Sequence, residues 1–525
     1  MRLWTIPLTV LLLLPIAVVG TQWLTPRWDV WAHLWATRLP EMLWTTALLT
    51  AGVGLGTFLL GTGLAWLVTA YRFPGQPVFD WLLIGPLAVP AFILAFIYMA
   101  TFDLAGPVQK TLRAWFGPEV WFPEIRSLGG AILVLTLVLY PYVYLLARAA
   151  FREQAANTFE AARALGYSRT RTFLRLVLPM ARPSLVAGMT LAMLEAMTDF
   201  GAVRFFSVPT LSEGIVRLWE GALDRTTALA LASLLLVGAL AVILLERLLR
   251  GQSRYFQTNS AYRRLAPTRL HGARAWLAAG ACLLVLSAAL FLPLTQLVVW
   301  AVQELSRGAP GAFDAVYWRY LFNTAGLALA AAIIAVGVAL PLAQGARLGR
   351  SRASRAIIRL ATLGYAMPGA VIAAGVLIIL STADRWLGLG LVLTSSLAGL
   401  VYAYVVRFIA LAYNSAEASL DKVTPSMTEA ARTLGAGPGR VLWRVQMPLV
   451  SAGLVAGVVL VFVDVLKELP ATLLLRPFGL DTLVIWAYMA AAESLWTAAA
   501  LPSLTILLAG LVSVIVLLRT GRLFV

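Results

Sequence analysis

Glu160-Ala161-Ala162-Arg163-Ala164-Leu165-Gly166 recurs as Glu429-Ala430-Ala431-Arg432-Thr433-Leu434-Gly435, and each glycine is followed at the same distance by a proline, Pro179 and Pro448. Glutamate, both alanines, arginine, leucine, glycine and proline all keep a constant offset of 269 residues. Each copy is a polar island in a very apolar chain. Two islands repeated with their spacing belong on one side of a membrane and look like paired sockets for a partner.

The surrounding chain supplies that membrane reading. Of its 525 residues 61% are hydrophobic and 12% charged, with a mean hydropathy of +0.85, which excludes a soluble globule. Apolar runs of about twenty residues recur along the whole length, the mark of an all-α polytopic membrane protein. The short alternating segments of a β-barrel are missing. A net charge of +17 could point to nucleic acid, but the arginines lie between apolar runs and not on a basic domain. The positive-inside rule accounts for them, so membrane lipid is an expected partner and nucleic acid is not. A single cysteine, Cys282, excludes intrachain disulfides and a cysteine-rich metal site. His33 and His271 are too far apart in the chain for a compact histidine site, and no metal or other cofactor is expected.

The runs lie near residues 3–24, 43–70, 80–102, 128–150, 183–203, 226–249, 274–303, 322–346, 356–382, 388–412, 449–475 and 497–519, which makes twelve spans. The first competes with a cleaved leader ending near Val19-Gly20-Thr21, but Trp4 and Trp23 bracket it as interface anchors bracket a retained helix. With alternating sides, the N-terminal side carries 28 lysines and arginines, the opposite side 12, and Lys467 falls inside a span. That bias puts both termini, and both Glu-Ala-Ala stretches, in the cytoplasm.

The repeat extends beyond the motif. Residues 157–224 align without gaps on 426–493, while earlier Thr46 pairs with Thr324 and Val89-Pro90-Ala91 with Met367-Pro368-Gly369 at an offset of 278. Nine extra residues in the first half, placed in the 103–127 loop, explain the change. The expected architecture is two parallel six-helix repeats, 1–249 and 274–525, joined by a polar connector at 250–273. Two such halves around a central route is transporter architecture.

Within each copy, Asn157-x-x-Glu160 and Ser426-x-x-Glu429 have the form of a capping box, and Pro425 suits a first helical turn. The paired alanines leave a smooth face. Gly166 and Gly435 are placed to stop the helix in a left-handed conformation. A second amphipathic segment, begun by Ser168 or by Gly437-Pro438, is expected to end at Pro179 or Pro448 just before the next span.

Glu-Ala-Ala, three residues, Gly, then a hydrophobic-Leu-Pro ending resembles the signature loop of permease subunits of binding-protein-dependent ABC importers. The second copy departs slightly, with Gln446-Met447-Pro448 in place of Val177-Leu178-Pro179. The resemblance implies a type I ABC importer permease fold with coupling loops near 152–182 and 415–448. It also implies two ATP-binding subunits on the cytoplasmic face and a solute-binding protein outside. The carried-over coupling residues are Glu160, Ala161, Ala162, Gly166, Glu429, Ala430, Ala431 and Gly435. A phosphate-binding loop needs Gly-Lys-Ser/Thr, and none of the three lysines, Lys110, Lys422 and Lys467, follows a glycine. The chain therefore reads as a transport subunit without catalytic residues, not an enzyme.

Spans five and eleven carry acids at matching places, Glu195 with Asp464 and Asp199 with Glu468, and Lys467 adds a base on the same turn. Charges inside spans are costly and mark either a translocation route or internal pairs. Thr198-Asp199-Phe200-Gly201 and Lys467-Glu468-Leu469-Pro470-Ala471-Thr472 resemble stretches of ferric-iron permeases, which are also fused twelve-span chains; the implied cargo is ferric iron, with thiamine or aminoethylphosphonate as the alternative. An ion-coupled secondary transporter is the rival class. Residues 209–224 and 477–493 read as short external helices with aromatic faces, Trp219 and Tyr488, beside Arg204, Arg217 and Arg225; they would either receive the binding protein or form a lid.

Overall fold

The computed structural model of the chain describes residues 5–24, 26–153, 162, 164–219, 225–250, 267–308, 313–348, 358, 360–421 and 423–522. Among these, twelve helices are long and apolar enough to cross a membrane, from Thr5–Trp23 to Trp496–Val516. Helices are what hydrocarbon demands, because a spanning backbone must satisfy its own N–H and C=O groups.

Four of the expected runs are broken helices. The third begins as Gln76–Leu82 and a 3₁₀ turn at Gly85–Ala88, and only then becomes the helix Ala91–Phe102. Its counterpart passes through a 3₁₀ turn at Thr362–Ala366 into Gly369–Leu387. Pro90 and Pro368 stand at the two breaks, where a missing N–H and a restricted preceding residue halt α-helix. The fifth and eleventh spans stop at Thr198 and Leu466 and resume as the short helices Gly201–Phe205 and Pro470–Leu475.

The chain packs as two compact units. In the unit formed by Trp35–Glu213 and Val237–Val299, the second span, Leu39–Ala70, lies against the fourth, Leu128–Glu153, and the fifth, Leu178–Thr198. Tyr71-Arg72 at the end of the second span pairs in parallel with Thr268-Arg269 of the connector, whose residues 251–266 lie outside the described residues. In the unit formed by Met1–Leu34, Gly214–Leu236 and Trp300–Val525, the eighth span, Ala315–Leu348, packs on the tenth, Leu397–Leu420, and the eleventh, Met447–Leu466. The first helix, Thr5–Gly20, rests on Gly369–Leu387 in the same unit.

The internal repeat is visible in hydrogen bonds. Thr46 Oγ1 accepts from Leu211 N at 3.0 Å, and Thr324 Oγ1 from Leu483 N at 2.9 Å. Ser127 and Ser396, offset by 269, each take the N–H three residues on at 3.2 Å. Between Pro90 and Ser127 the offset falls from 278 to 269, and the extra helix Pro107–Phe116 lies in that stretch.

Two expectations need correction. The gapless alignment of 157–224 on 426–493 fails after the acids. Thr210 caps Glu213 N at 3.3 Å as Thr482 caps Ile485 N at 3.4 Å, so the offset there is 272 and the second half has three additional residues. Nor do the helices at these caps present aromatic faces outward. Leu483–Ala492 buries Leu483, Val484, Ile485 and Tyr488, and Leu211–Arg217 buries Leu211, Ile215 and Val216. Leu483–Ala492 is apolar all round, which suits a packed helix, while Leu211–Arg217 also buries Ser212 and Glu213.

Candidate coupling loops and buried charges

The second Glu-Ala-Ala copy is a helix, Pro425–Thr433, with Thr424 at the N-cap position, making no side-chain capping bond, and Pro425 in the first turn. Ser426 is therefore inside the helix and not its cap, and its hydroxyl pairs with that of Thr424 at 2.8 Å, which removes the expected capping box. Glu429 and Ala430 are exposed and Ala431 is half-buried. Gly435 ends the helix at φ 81°, with Gly435 N donating to Arg432 O at 2.9 Å and Ala436 N to Ala431 O at 3.0 Å. These two bonds are the Schellman stop, which needs the left-handed residue that glycine supplies.

In the first copy Asn157, Glu160, Ala161 and Arg163 lie outside the described residues. Ala162 is helical and buried, and its carbonyl takes the Tyr167 N–H at 3.1 Å. Gly166 stands at φ 80°, so the same stop is built twice. Leu165 and Leu434, one step before each glycine, are 78% and 87% exposed. The two copies thus share an exposed leucine at the same place.

The segment after each glycine differs from expectation. Ser168 caps a short helix through Arg171 N at 3.3 Å, and Pro438–Val441 begins the second copy's equivalent. Neither segment ends at its proline. Each passes through a π-turn, Phe173–Val177 or Leu442–Gln446, straight into the span Leu178–Thr198 or Met447–Leu466. Pro179 and Pro448 cannot donate to the carbonyl four residues back, and the widened turn absorbs the mismatch without breaking the rod. The loop's second helix and the membrane helix are thus one continuous piece.

The acids inside the spans have structural partners. Asp199 Oδ1 accepts from Ala202 N at 2.7 Å, and Glu468 Oε1 from Ala471 N at 3.0 Å, so each satisfies the N-terminus of the short helix after its break. Glu468 Oε2 also meets Arg407 Nε at 3.2 Å, with both side chains almost wholly buried. Lys467 pairs with Asp464 at 2.9 Å. Glu195 is half-buried, and its carbonyl takes the Asp199 N–H at 3.0 Å. Among the described residues no three His, Cys, Asp or Glu side chains gather as metal ligands.

Arg407 is the residue that the sequence pattern misplaces. It is counted on the N-terminal side although the run near 388–412 contains it, and it lies in the middle of Leu397–Leu420. The tally becomes 27 against 12, and its sign holds. A lone arginine in Tyr404-Val405-Val406-Arg407-Phe408-Ile409 is the available signal.

A polytopic helical bundle carrying two copies of a helix–glycine–helix element, each continuous with a span, defines the membrane-spanning subunit of a transporter. The chain belongs to the binding-protein-dependent transport system inner membrane component family, whose model matches it twice, over residues 57–255 and 335–524. It is a multi-pass inner-membrane permease of an ABC importer, a transport subunit and not an enzyme, whose class works with ATPase and binding-protein partners. The chain is 27% identical over 466 residues to an Fe(3+)-transport system permease protein, FbpB 2, of Haemophilus influenzae, covering 88% of this chain and 86% of that one. It is 28% identical to the sulfate permease CysT of Escherichia coli over 44% of this chain and 84% of that one. The molybdenum permease ModB of the same species is 28% identical over 32% of this chain and 73% of its own length.

Proposed function

We propose that this chain forms both halves of the route by which ferric iron, delivered by an extracytoplasmic binding protein, enters the cytoplasm. Two ATPase subunits dock on the loops near 152–182 and 415–448, one per copy, and both termini lie in the cytoplasm. The observation that carries the reading is the doubled loop: the same glycine-stopped helix, with the same exposed leucine, runs through the same π-turn into a membrane span. A partner gripping Glu160, Ala161, Ala162 and Gly166, or Glu429, Ala430, Ala431 and Gly435, has a direct lever on a span. Closure of the ATPases moves both levers and alternates access to the route.

Ferric iron is favoured because the iron permease of Haemophilus influenzae matches 88% of this chain, where the sulfate and molybdenum relatives match less than half. Of the membrane charges, Asp464 with Lys467 and Glu468 with Arg407 act as internal pairs, since each is within salt-bridge distance. Glu195 and Asp199, the matching acids of the first half, either line the route or form internal pairs in the same way. An oxyanion cargo is the second reading, supported by the sulfate and molybdenum relatives, which match parts of the chain. Uptake of labelled iron by cells carrying the complete system, with sulfate and molybdate as competitors, separates the two. Iron uptake untouched by either anion is expected; uptake of an anion with none of iron reverses the assignment.

A further inference from the structure

The two coupling loops are mounted on different chemistry. In the first half the buried carboxylate of Asp80, on Gln76–Leu82, meets Arg152 Nη2 at 2.7 Å and Arg148 Nη1 at 3.2 Å. The Asp80 carbonyl also accepts from Arg148 Nη1 at 2.8 Å and from the Tyr144 hydroxyl at 3.1 Å. Tyr144, Arg148 and Arg152 occupy the last turns of Leu128–Glu153, from which the first loop departs. A second clamp adjoins it. Trp66 on Leu39–Ala70 packs on Phe173 with ring centroids 4.6 Å apart and on Phe151 at 5.7 Å, and those two rings are 6.0 Å from each other. Phe151 lies just before the loop, and Phe173 opens the π-turn after it. One tryptophan thus pins the entering and leaving ends together.

The matched positions of the second half carry other residue types. Asp80, Arg148 and Arg152 correspond to Ile358, Glu417 and Asp421, and Trp66, Phe151 and Phe173 to Gln344, Leu420 and Leu442. Among the described residues there, Arg347 reaches the carbonyls of Leu420 and Val423, and Gln344 contacts Gln446 at 3.4 Å.

We propose that Asp80 and Trp66 are positioning residues that lock the base of the first coupling loop to the Gln76–Leu82 helix and to spans two, four and five, so that this loop passes its movement on as a rigid unit. This rests on the coupling role proposed above. A buried charge cluster and an aromatic wedge have one well-packed arrangement, which is what a lever's fulcrum requires.

The test uses the full permease assembled with its ATPase and binding protein in proteoliposomes, comparing ATP hydrolysis with solute uptake. Asp80→Asn and Trp66→Leu should retain the ATPase and its hydrolysis while uptake per ATP falls about five- to tenfold, the scale on which residues linking two sites modulate coupling. Trp66→Phe, which keeps a ring, should restore uptake per ATP. Should Asp80→Asn not insert, Arg152→Gln, whose side chain is half exposed, carries the same expectation. Unchanged uptake per ATP, or hydrolysis and uptake falling in parallel, overturns the proposal. A wild-type assembly that shows no ATP-driven uptake defeats the coupling reading itself, a result distinct from either.

Discussion

Arg407 Nε stands 3.2 Å from Glu468 Oε2, and the two side chains are only 7% and 4% exposed. The pair joins the middle of the tenth span to the break after the eleventh. Gly369, first residue of the helix after the Pro368 break, lies so close that a Cβ there would collide with both the guanidinium and the carboxylate. At the matching place the first half has Ala91, and Val138 stands where the second has Arg407.

Removing one partner of this pair leaves a buried charge alone, a cost of about 3–5 kcal/mol. Arg407→Met should therefore lower the unfolding midpoint of the purified permease strongly. Arg407→Met with Glu468→Gln should recover much of the loss, because glutamine still offers an oxygen to Ala471 N. If the double variant is no more stable than the single one, the pair is not what holds this break.

Gly369→Ala should destabilise the same region, whereas Ala91→Gly in the first half should cost only about 1 kcal/mol of helix propensity. Thermal unfolding of the two variants side by side reads the difference. Equal losses would mean that the ion pair does not occupy the space a Cβ needs.

At Gly435 and Gly166 a Cβ would meet nothing of this chain within 4 Å, so within the chain only backbone conformation demands glycine. Gly435→Asn, which tolerates positive φ, should keep most of the uptake, while Gly435→Val should lose most of it with the protein still in the membrane. Uptake measured against membrane content decides. Similar behaviour of asparagine and valine would rule out the left-handed stop as the critical feature.

Thr46 and Thr324 each accept a backbone N–H that a broken helix leaves over. Valine at either position should cost about 1–3 kcal/mol, the penalty for stranding a buried polar group, and serine should be tolerated. Circular dichroism melts of the four variants test both halves alike.

Much of this fold is legible in the chain itself. Twelve spans, the repeat and the glycine stops come from apolar run length, constant offset and the left-handed role of glycine. The hidden features lie where tertiary partners override local pattern. The capping box at Ser426 is lost because Pro425 takes the first turn and Ser426 falls inside the helix. The prolines at 179 and 448 read as helix ends, but π-turns carry the helix through them. Arg407 reads as a loop cation because its partner Glu468 is 61 residues away in sequence. Asp80 and Trp66 give no local signal, since their partners come from helices far along the chain.

The central claim is that ATPase subunits acting on the two Glu-Ala-Ala loops drive solute through this chain. Its most direct measurement is uptake of binding-protein-loaded ferric iron into proteoliposomes containing the permease and its ATPase, with and without ATP and with ionophores that dissipate ion gradients. The account predicts uptake that requires ATP, survives the ionophores and disappears when Gly166 and Gly435 are both replaced by valine. Uptake that proceeds without ATP and collapses with the gradient would contradict it.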